Sequence, residues 1–115
     1  MSISKITGDL AAGKTTARQH LETCLEAIDS EDGRRAFITV NSDAARAEAD
    51  RVDAMRAAGA ALPPFAGVTL SVKDLFDIAG EITRAGSRVL DGAAPAARDC
   101  SVVARLRAAG FNIIG

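Results

Sequence analysis

Apolar residues recur at helical spacing in the first quarter of the chain. Between residues 15 and 30 an apolar side chain stands at every third or fourth position, namely Leu21, Cys24, Leu25 and Ile28. Thr16 and Gln19 have the spacing of a capping box, in which each side chain bonds to the backbone of the first turn. We therefore expect an amphipathic helix across residues 15–30, followed by a polar turn at residues 30–35.

Two further segments have the composition of helices. Residues 44–58 are rich in helix-forming residues, follow the polar cluster at 41–43 and end at Gly59, which predicts a capped helix with a glycine stop. Residues 101–109 end in the same way at Gly110, and Asp99 is the expected cap of that helix. The segment between residues 77 and 98 contains several glycines and no sustained period, which predicts a loop.

Three short apolar runs predict strands: residues 36–40 (AFITV), 68–72 (VTLSV) and 111–114 (FNII). The second run alternates apolar and polar residues up to Lys73, which is the period of a strand. Because helices and strands alternate along the chain, we expect an α/β fold with a largely parallel sheet. The last run ends at Gly115 instead of in exposed polar sequence, so residues 1–115 are expected to form one partial domain.

Composition and charge exclude several classes of protein. Hydrophobic residues make up 48% of the chain, but many are alanines, which bury little area. The net charge of −1 and the mixing of charge signs give no attraction to nucleic acid or to an anionic membrane. No apolar run approaches the roughly 20 residues of a membrane helix, and the amino terminus lacks the apolar stretch of a signal peptide. The cytoplasm is therefore the expected compartment.

The sequence offers no cluster of metal ligands. Cys24 and Cys100 are far apart in the chain and His20 is the single histidine, whereas a structural zinc site needs about four clustered ligands. We expect no metal and no cofactor. Cys24 is interpreted as a small apolar residue in the stripe of the first helix, with His20 solvated at its edge.

Residues Gly8–Thr15 match the pattern GxxxxGK[ST] of a phosphate-binding loop. Such a loop needs a buried apolar strand before it. Residues 1–7 (MSISKIT) do not have the composition of that strand. We interpret the segment as a turn before the first helix, and nucleotide binding stays a minor alternative.

The segment Ser71–Asp77 (SVKDLFD) places Lys73 at the end of a predicted strand. A lysine that is buried in such a place loses its proton more readily and can act as a base. By itself this signal is weak, because lysines at strand ends usually extend to solvent. The expectation here is that Lys73 points into the molecule.

Residues 8–115 resemble the amidase signature family in several separate blocks. The similarity includes the opening helix, the Ala36–Val40 strand, the block Gly67–Asp77 (GVTLSVKDLFD), the segment at 80–87 and the blocks from Asp99 to Gly115. The resemblance implies an α/β fold with a mixed central sheet flanked by helices, of which this chain holds the amino-terminal portion. It also implies hydrolysis of amide C–N bonds in a small-molecule substrate.

The resemblance implies a Ser–cis-Ser–Lys triad, in which one serine attacks the amide carbonyl and the lysine is the base. Lys73 matches the catalytic lysine, and the family's two serines lie far beyond the matched segment. The chain alone is therefore expected to be inactive. Ser71 and Ser87 are not expected to be catalytic, and Asp74 and Asp77 are expected to pair locally.

Two departures from the family's pattern concern the substrate. Residues 63–66 (PPFA) replace a more basic approach to the lysine strand, and Arg84 stands where a threonine or small residue is common. Substrate preference therefore stays open. A non-catalytic remnant that serves as an interaction module is the main alternative to the enzyme.

Overall fold

The computed structural model describes all of residues 1–115. Its elements in chain order are α1 (Ile3–Ala11), α2 (Ala17–Asp29), α3 (Glu31–Ala36), α4 (Ser42–Ala57), β1 (Thr69–Leu70), a 3₁₀ helix (Arg88–Leu90), α5 (Ser101–Ala108) and β2 (Asn112–Ile113). The helices predicted at 15–30, 44–58 and 101–109 are confirmed as α2, α4 and α5. The region 77–98 is irregular apart from the 3₁₀ helix, as expected.

The two strands form a parallel pair in which Thr69 lies opposite Asn112 and Leu70 opposite Ile113. Backbone hydrogen bonds extend the pairing beyond the strands themselves. One runs from the Asn112 N–H to the Val68 carbonyl (2.9 Å), and another from the Val72 N–H to the Gly115 carbonyl (2.7 Å). The predicted α/β fold with a parallel sheet is therefore confirmed, with α5 in the connection between the strands.

Apolar side chains cover both faces of this sheet. On one face α1, α2 and α4 form the larger core, which also includes Val68 and Ile114. On the other face Val103 of α5 packs with Ile78 and Ile113. Because successive residues of a strand point to opposite faces, Ile113 and Ile114 belong to different clusters. The sheet is short but is packed as a central layer.

The start of α2 is fixed twice. Thr16 and Gln19 form the predicted capping box. In addition, the Asp53 carboxylate on α4 accepts hydrogen bonds from the backbone N–H groups of Ala17 (2.8 Å) and Arg18 (3.0 Å). The second contact satisfies two amides that no intrahelical carbonyl can reach, and it joins α2 to α4.

An ion-pair network adds to this contact between helices. The Glu22 carboxylate on α2 accepts from the Nε atoms of Arg18 (2.6 Å) and Arg46 (2.9 Å). Hydrogen bonds from Arg46 and then from Arg18 lower the pKa of Glu22 to about 2. The carboxylate therefore stays ionised at any ordinary pH, and one arginine of the network comes from each helix.

Three predictions about the segments that follow α2 are wrong. Residues 36–40 do not form a strand, because α3 includes Ala36 and the following residues make no ladder; a single bond joins the Asn41 N–H to the Ile114 carbonyl (2.9 Å). The polar turn at 30–35 is instead the start of α3, where the Ser30 hydroxyl accepts from the Gly33 N–H. Asp99 does not cap α5; its carboxylate accepts from the Ala79 N–H (2.8 Å) and ties the preceding loop to the helix start.

Candidate active site

An open cleft of about 1010 Å³ lies beyond the carboxyl end of β1. Three segments line it: residues 36–39 at the end of α3, residues 71–76 after β1, and the loop around residues 80–86. Ligand sites of parallel α/β sheets usually lie at this end of the strands. The topology of the fold therefore places the cleft where such a site is expected.

Lys73 lines this cleft three residues after the end of β1. A tight turn fixes its backbone, since its carbonyl accepts from the N–H groups of Leu75 (2.6 Å) and Phe76 (3.2 Å). The expected burial of Lys73 is not found, because its side chain is exposed in the described chain. The pairing of β1 with β2 extends as far as the bond from the Val72 N–H to the Gly115 carbonyl, and Lys73 follows it in the tight turn.

Asp74 fixes the opposite wall of the cleft. Its carboxylate accepts hydrogen bonds from the backbone N–H groups of Arg84 (2.9 Å) and Gly86 (3.1 Å). These bonds, that of Arg84 first, hold the pKa of Asp74 below its ordinary value. Ala85 and Gly86 both have left-handed backbone conformations, with φ of 53° and 68°. For Ala85 this costs on the order of 1 kcal/mol, and the Asp74 carboxylate holds the segment in that shape.

Three other polar contacts lie in or next to the wall of the cleft. The Thr83 hydroxyl donates to Asp77 (2.7 Å), so both acidic residues near Lys73 pair locally. The Arg84 Nε donates to Asp91 (3.0 Å), which leaves the rest of a half-buried guanidinium beside the cleft. The Ser87 hydroxyl accepts from the Val89 N–H (3.3 Å) and caps the 3₁₀ helix, which is a structural role.

The phosphate-loop pattern has no phosphate-binding geometry. Gly8 lies inside α1, so no strand precedes the motif, and residues 8–11 are helical where a turn was predicted. Gly13 turns the chain with a φ of 66°. The Lys14 amino group lies 3.8 Å from the Asp9 carboxylate, which already opposes its charge. Nothing in this segment supports the nucleotide-binding alternative.

The sequence patterns did not reveal all of the residues that matter for the site. The wall formed by Phe37 and Ile38 was expected to be a paired strand, and no pattern showed that it would face Lys73. Outside the cleft, a contact of Cys24 with His20 and Thr69 was also missed. Its one sequence signal is the four-residue spacing of His20 and Cys24, which places them on one face of a helix.

Neither a metal site nor a membrane-spanning helix is found. No three or more histidine, cysteine or acidic side chains come together in a way that could hold a metal ion. No helix has both the length and the apolar composition needed to cross a membrane.

Comparison with known proteins identifies the family. Residues 19–115 match the family model described as Amidase, so the chain belongs to the amidase signature family. The whole chain is 43% identical to AtzE, a 1-carboxybiuret hydrolase subunit from Pseudomonas sp. (strain ADP), and covers 25% of that protein. It is 40% identical to a glutamyl-tRNA(Gln) amidotransferase subunit from Salinispora arenicola (strain CNS-205) and covers 23% of it. The chain therefore spans about a quarter of the length of these relatives.

Solved structures show the same fold. The chain superimposes with a TM-score of 0.93, at 43% identity, on 25% of a chain from a vestigial protein complex that reveals the evolutionary origins of an s-triazine catabolic enzyme. The native peptide amidase of Stenotrophomonas maltophilia matches with a TM-score of 0.86 at 31% identity, over 24% of its chain. Each superposition covers all of the present chain. The architecture described above is thus one part of the amidase-signature fold.

Proposed function

We propose that this chain provides the lysine-bearing part of an amidase that cleaves amide C–N bonds, with Lys73 as the catalytic base. The observation that supports the proposal best is the position of Lys73 in the large cleft at the carboxyl end of β1. Its block of sequence is also the one that resembles the family's lysine strand. A small-molecule amide is the proposed substrate and the cytoplasm the proposed location.

The proposed chemistry assigns a single step to Lys73. A neutral lysine amine accepts the proton that a serine hydroxyl loses, through a second serine, as the first serine attacks the amide carbonyl. The proton then passes back to the amide nitrogen as the C–N bond breaks, so ammonia or an amine leaves and an acyl-enzyme forms, which water hydrolyses. Neither Ser71 nor Ser87 is assigned the nucleophile's role, since Ser87 caps the 3₁₀ helix and Ser71 has no base as a hydrogen-bond partner. Both catalytic serines are expected outside residues 1–115.

The exposure of Lys73 is consistent with a triad whose lysine lies in residues 1–115 and whose two serines lie outside them. A lysine acts as a base when it is unprotonated, and removal from water favours that form. In the described chain Lys73 faces an open cleft bordered by Phe37, Leu75 and Phe76. We propose that the remaining sequence of the amidase domain covers this border and thereby completes the site.

The test compares variants in an extended protein. The chain is expressed with any sequence that its reading frame encodes beyond Gly115, or is joined there to the remaining three quarters of AtzE. Ammonia release is then measured with a panel of small amides. Lys73→Ala is expected to lower kcat by on the order of a thousandfold or more, as loss of a triad member does. Lys73→Arg is expected to fail equally, because a guanidinium keeps its proton.

The matched control is Lys14→Ala, which removes another exposed lysine, one that does not line the cleft. This variant is expected to keep the parent activity, and melting temperatures establish that all variants fold. The 115-residue chain alone is expected to release no ammonia. Activity of the isolated chain, or full activity of the extended Lys73→Ala protein, would rule out the assigned role of Lys73. An extended, folded protein that is inactive with Lys73 intact would instead favour the non-catalytic interaction module.

A further inference from the structure

A cysteine, a threonine and a histidine meet between α2 and β1, outside the cleft. Cys24 and His20 lie one turn apart on α2, and Thr69 is the first residue of β1. The Cys24 sulfur is 3.1 Å from the Thr69 hydroxyl oxygen, which is 3.2 Å from the His20 Nε2 atom. The direct distance from Sγ to Nε2 is 4.0 Å. All three residues are half-buried and keep some exposure to solvent.

The hydrogen-bonding capacities of these groups permit one continuous arrangement. A thiol donates one hydrogen, a hydroxyl donates one and accepts others, and a neutral imidazole accepts at its unprotonated nitrogen. Cys24 can therefore donate to Thr69 while Thr69 donates to His20. Transfer of both protons along this line leaves a thiolate at Cys24 and an imidazolium at His20, and the thiolate is the nucleophilic form of cysteine.

The backbone holds the three groups in fixed positions. The start of α2 is fixed by its capping box and by Asp53, and β1 is held in register by its pairing with β2. The His20 hydrogen bond lowers the pKa of the Cys24 thiol, and the Thr69 hydrogen bond acts in the same direction against the opposing effect of burial. A nucleophile next to a positioned base is the arrangement that activates cysteines in proteins generally.

We propose that Cys24, Thr69 and His20 form a reactive-thiol site that is modified by small, soft carbon electrophiles. The Cys24 proton passes through the Thr69 hydroxyl to His20 Nε2. The thiolate attacks the electrophilic carbon, a C–S bond forms, and the leaving group departs with its bonding electron pair. With iodoacetamide the leaving group is iodide, and His20 later returns its proton to solvent. No oxidant or reductant takes part.

The test is the alkylation rate of each cysteine in the 115-residue chain, measured by peptide mass spectrometry with iodoacetamide as the probe. Cys100 is the internal reference, because it is also half-buried and has no side-chain hydrogen-bond partner. We expect His20→Gln to lower the ratio of the Cys24 rate to the Cys100 rate by a factor on the order of three, since a smaller thiolate fraction is partly offset by higher nucleophilicity.

The threonine supplies the matched pair of variants. Thr69→Ser keeps the hydroxyl and is expected to retain the parent ratio, whereas Thr69→Val has nearly the same shape without the hydroxyl and is expected to lower it. Equal ratios in these two variants, or an unchanged ratio in His20→Gln, would overturn the proposed site. A general loosening of the fold would raise both rates together and would not reproduce the expected pattern.

Discussion

At the scale of single residues, two neighbours in the cleft have opposite tasks. The Lys73 side chain lines the cleft and makes no hydrogen bond, whereas both carboxylate oxygens of Asp74 accept hydrogen bonds from the backbone of residues 84–86. The acidic side chain thereby shapes the wall that faces the lysine. Ala85 has a left-handed backbone conformation there, which a residue other than glycine rarely adopts. The shape of this wall therefore depends on the hydrogen bonds to the Asp74 carboxylate more than on the backbone preference of Ala85.

Asp74→Ala is expected to release that wall. Without the carboxylate, the amides of Arg84 and Gly86 lose their acceptor, so their hydrogen exchange should accelerate about tenfold, because an amide exchanges faster once its hydrogen bond is lost. NMR-detected exchange of these two amides is the measurement. Asp91→Ala, which removes only a side-chain partner of Arg84, is the matched control and should leave both amides protected.

The same anchor predicts a dependence on pH. The pKa of Asp74 is lowered in the folded chain. At pH values above the ordinary carboxyl range the ionised carboxylate therefore stabilises the hydrogen-bonded conformation of residues 84–86. The effect is lost as the pH falls through the lowered pKa and the carboxylate gains a proton. Protection of the Arg84 and Gly86 amides, corrected for intrinsic exchange, should decline at acid pH in the parent chain and stay low in Asp74→Ala. Equal protection of these two amides in the parent chain at acid and at neutral pH would contradict the proposed role of the Asp74 carboxylate.

At the scale of secondary-structure elements, α2, α4 and α5 could be predicted from the sequence, whereas α1 and α3 could not. The periodicity of α2 and its capping box are local properties, and both are confirmed. Residues 36–40 have the composition of a strand, but α3 includes Ala36 and the residues after it make no ladder. Asp53, 36 positions from Ala17, caps α2 through a contact that no local pattern predicts.

Asp53→Ala is expected to destabilise the chain by about 1–2 kcal/mol, because two amides at the start of α2 lose a charged acceptor and α4 loses its tie to that helix. Urea unfolding followed by circular dichroism measures the change. The matched control is Glu26→Ala, which removes an exposed acidic side chain of α2, and it should change stability by less than about 0.5 kcal/mol. Equal effects of the two substitutions would show that the cap does not stabilise the chain.

At the scale of the whole molecule, the site could be predicted only in part. The alternation of residues 68–72 predicted that Lys73 follows a strand, which is a local pattern, and the structure finds Lys73 in the lining of the cleft after β1. Two sets of contacts, of Asp74 with residues 84–86 and of Cys24 with Thr69, are tertiary contacts between segments that are separated in the sequence. The sequence contains no local signal for them. The parallel sheet was predicted correctly from the alternation of elements, since such connections require it.

The core of the molecule is small, and its cleft exposes several large apolar side chains. Fifteen of 115 residues are buried, and alanines are prominent among them. Meanwhile Ile38, Leu75 and Phe76 line the cleft with 68%, 55% and 42% of their surface exposed. Relatives in which the matching segment is a quarter of the chain have far more sequence to pack against such a surface. The isolated chain exposes it to water and to other copies of itself.

We therefore expect the isolated chain to self-associate through this cleft, because contiguous exposed apolar surface promotes association. Sedimentation velocity at increasing protein concentration should show a growing fraction of larger species. The double variant Ile38→Thr/Phe76→Ser is expected to reduce that fraction without lowering the melting temperature, since neither side chain belongs to a buried cluster. Val89→Ser is the control: Val89 is 89% exposed but does not line the cleft, so this variant should associate like the parent chain. A parent chain that stays monomeric at all concentrations and melts cooperatively, or a Val89→Ser variant that becomes monomeric as readily as the double variant, would show that the cleft is not the associating surface.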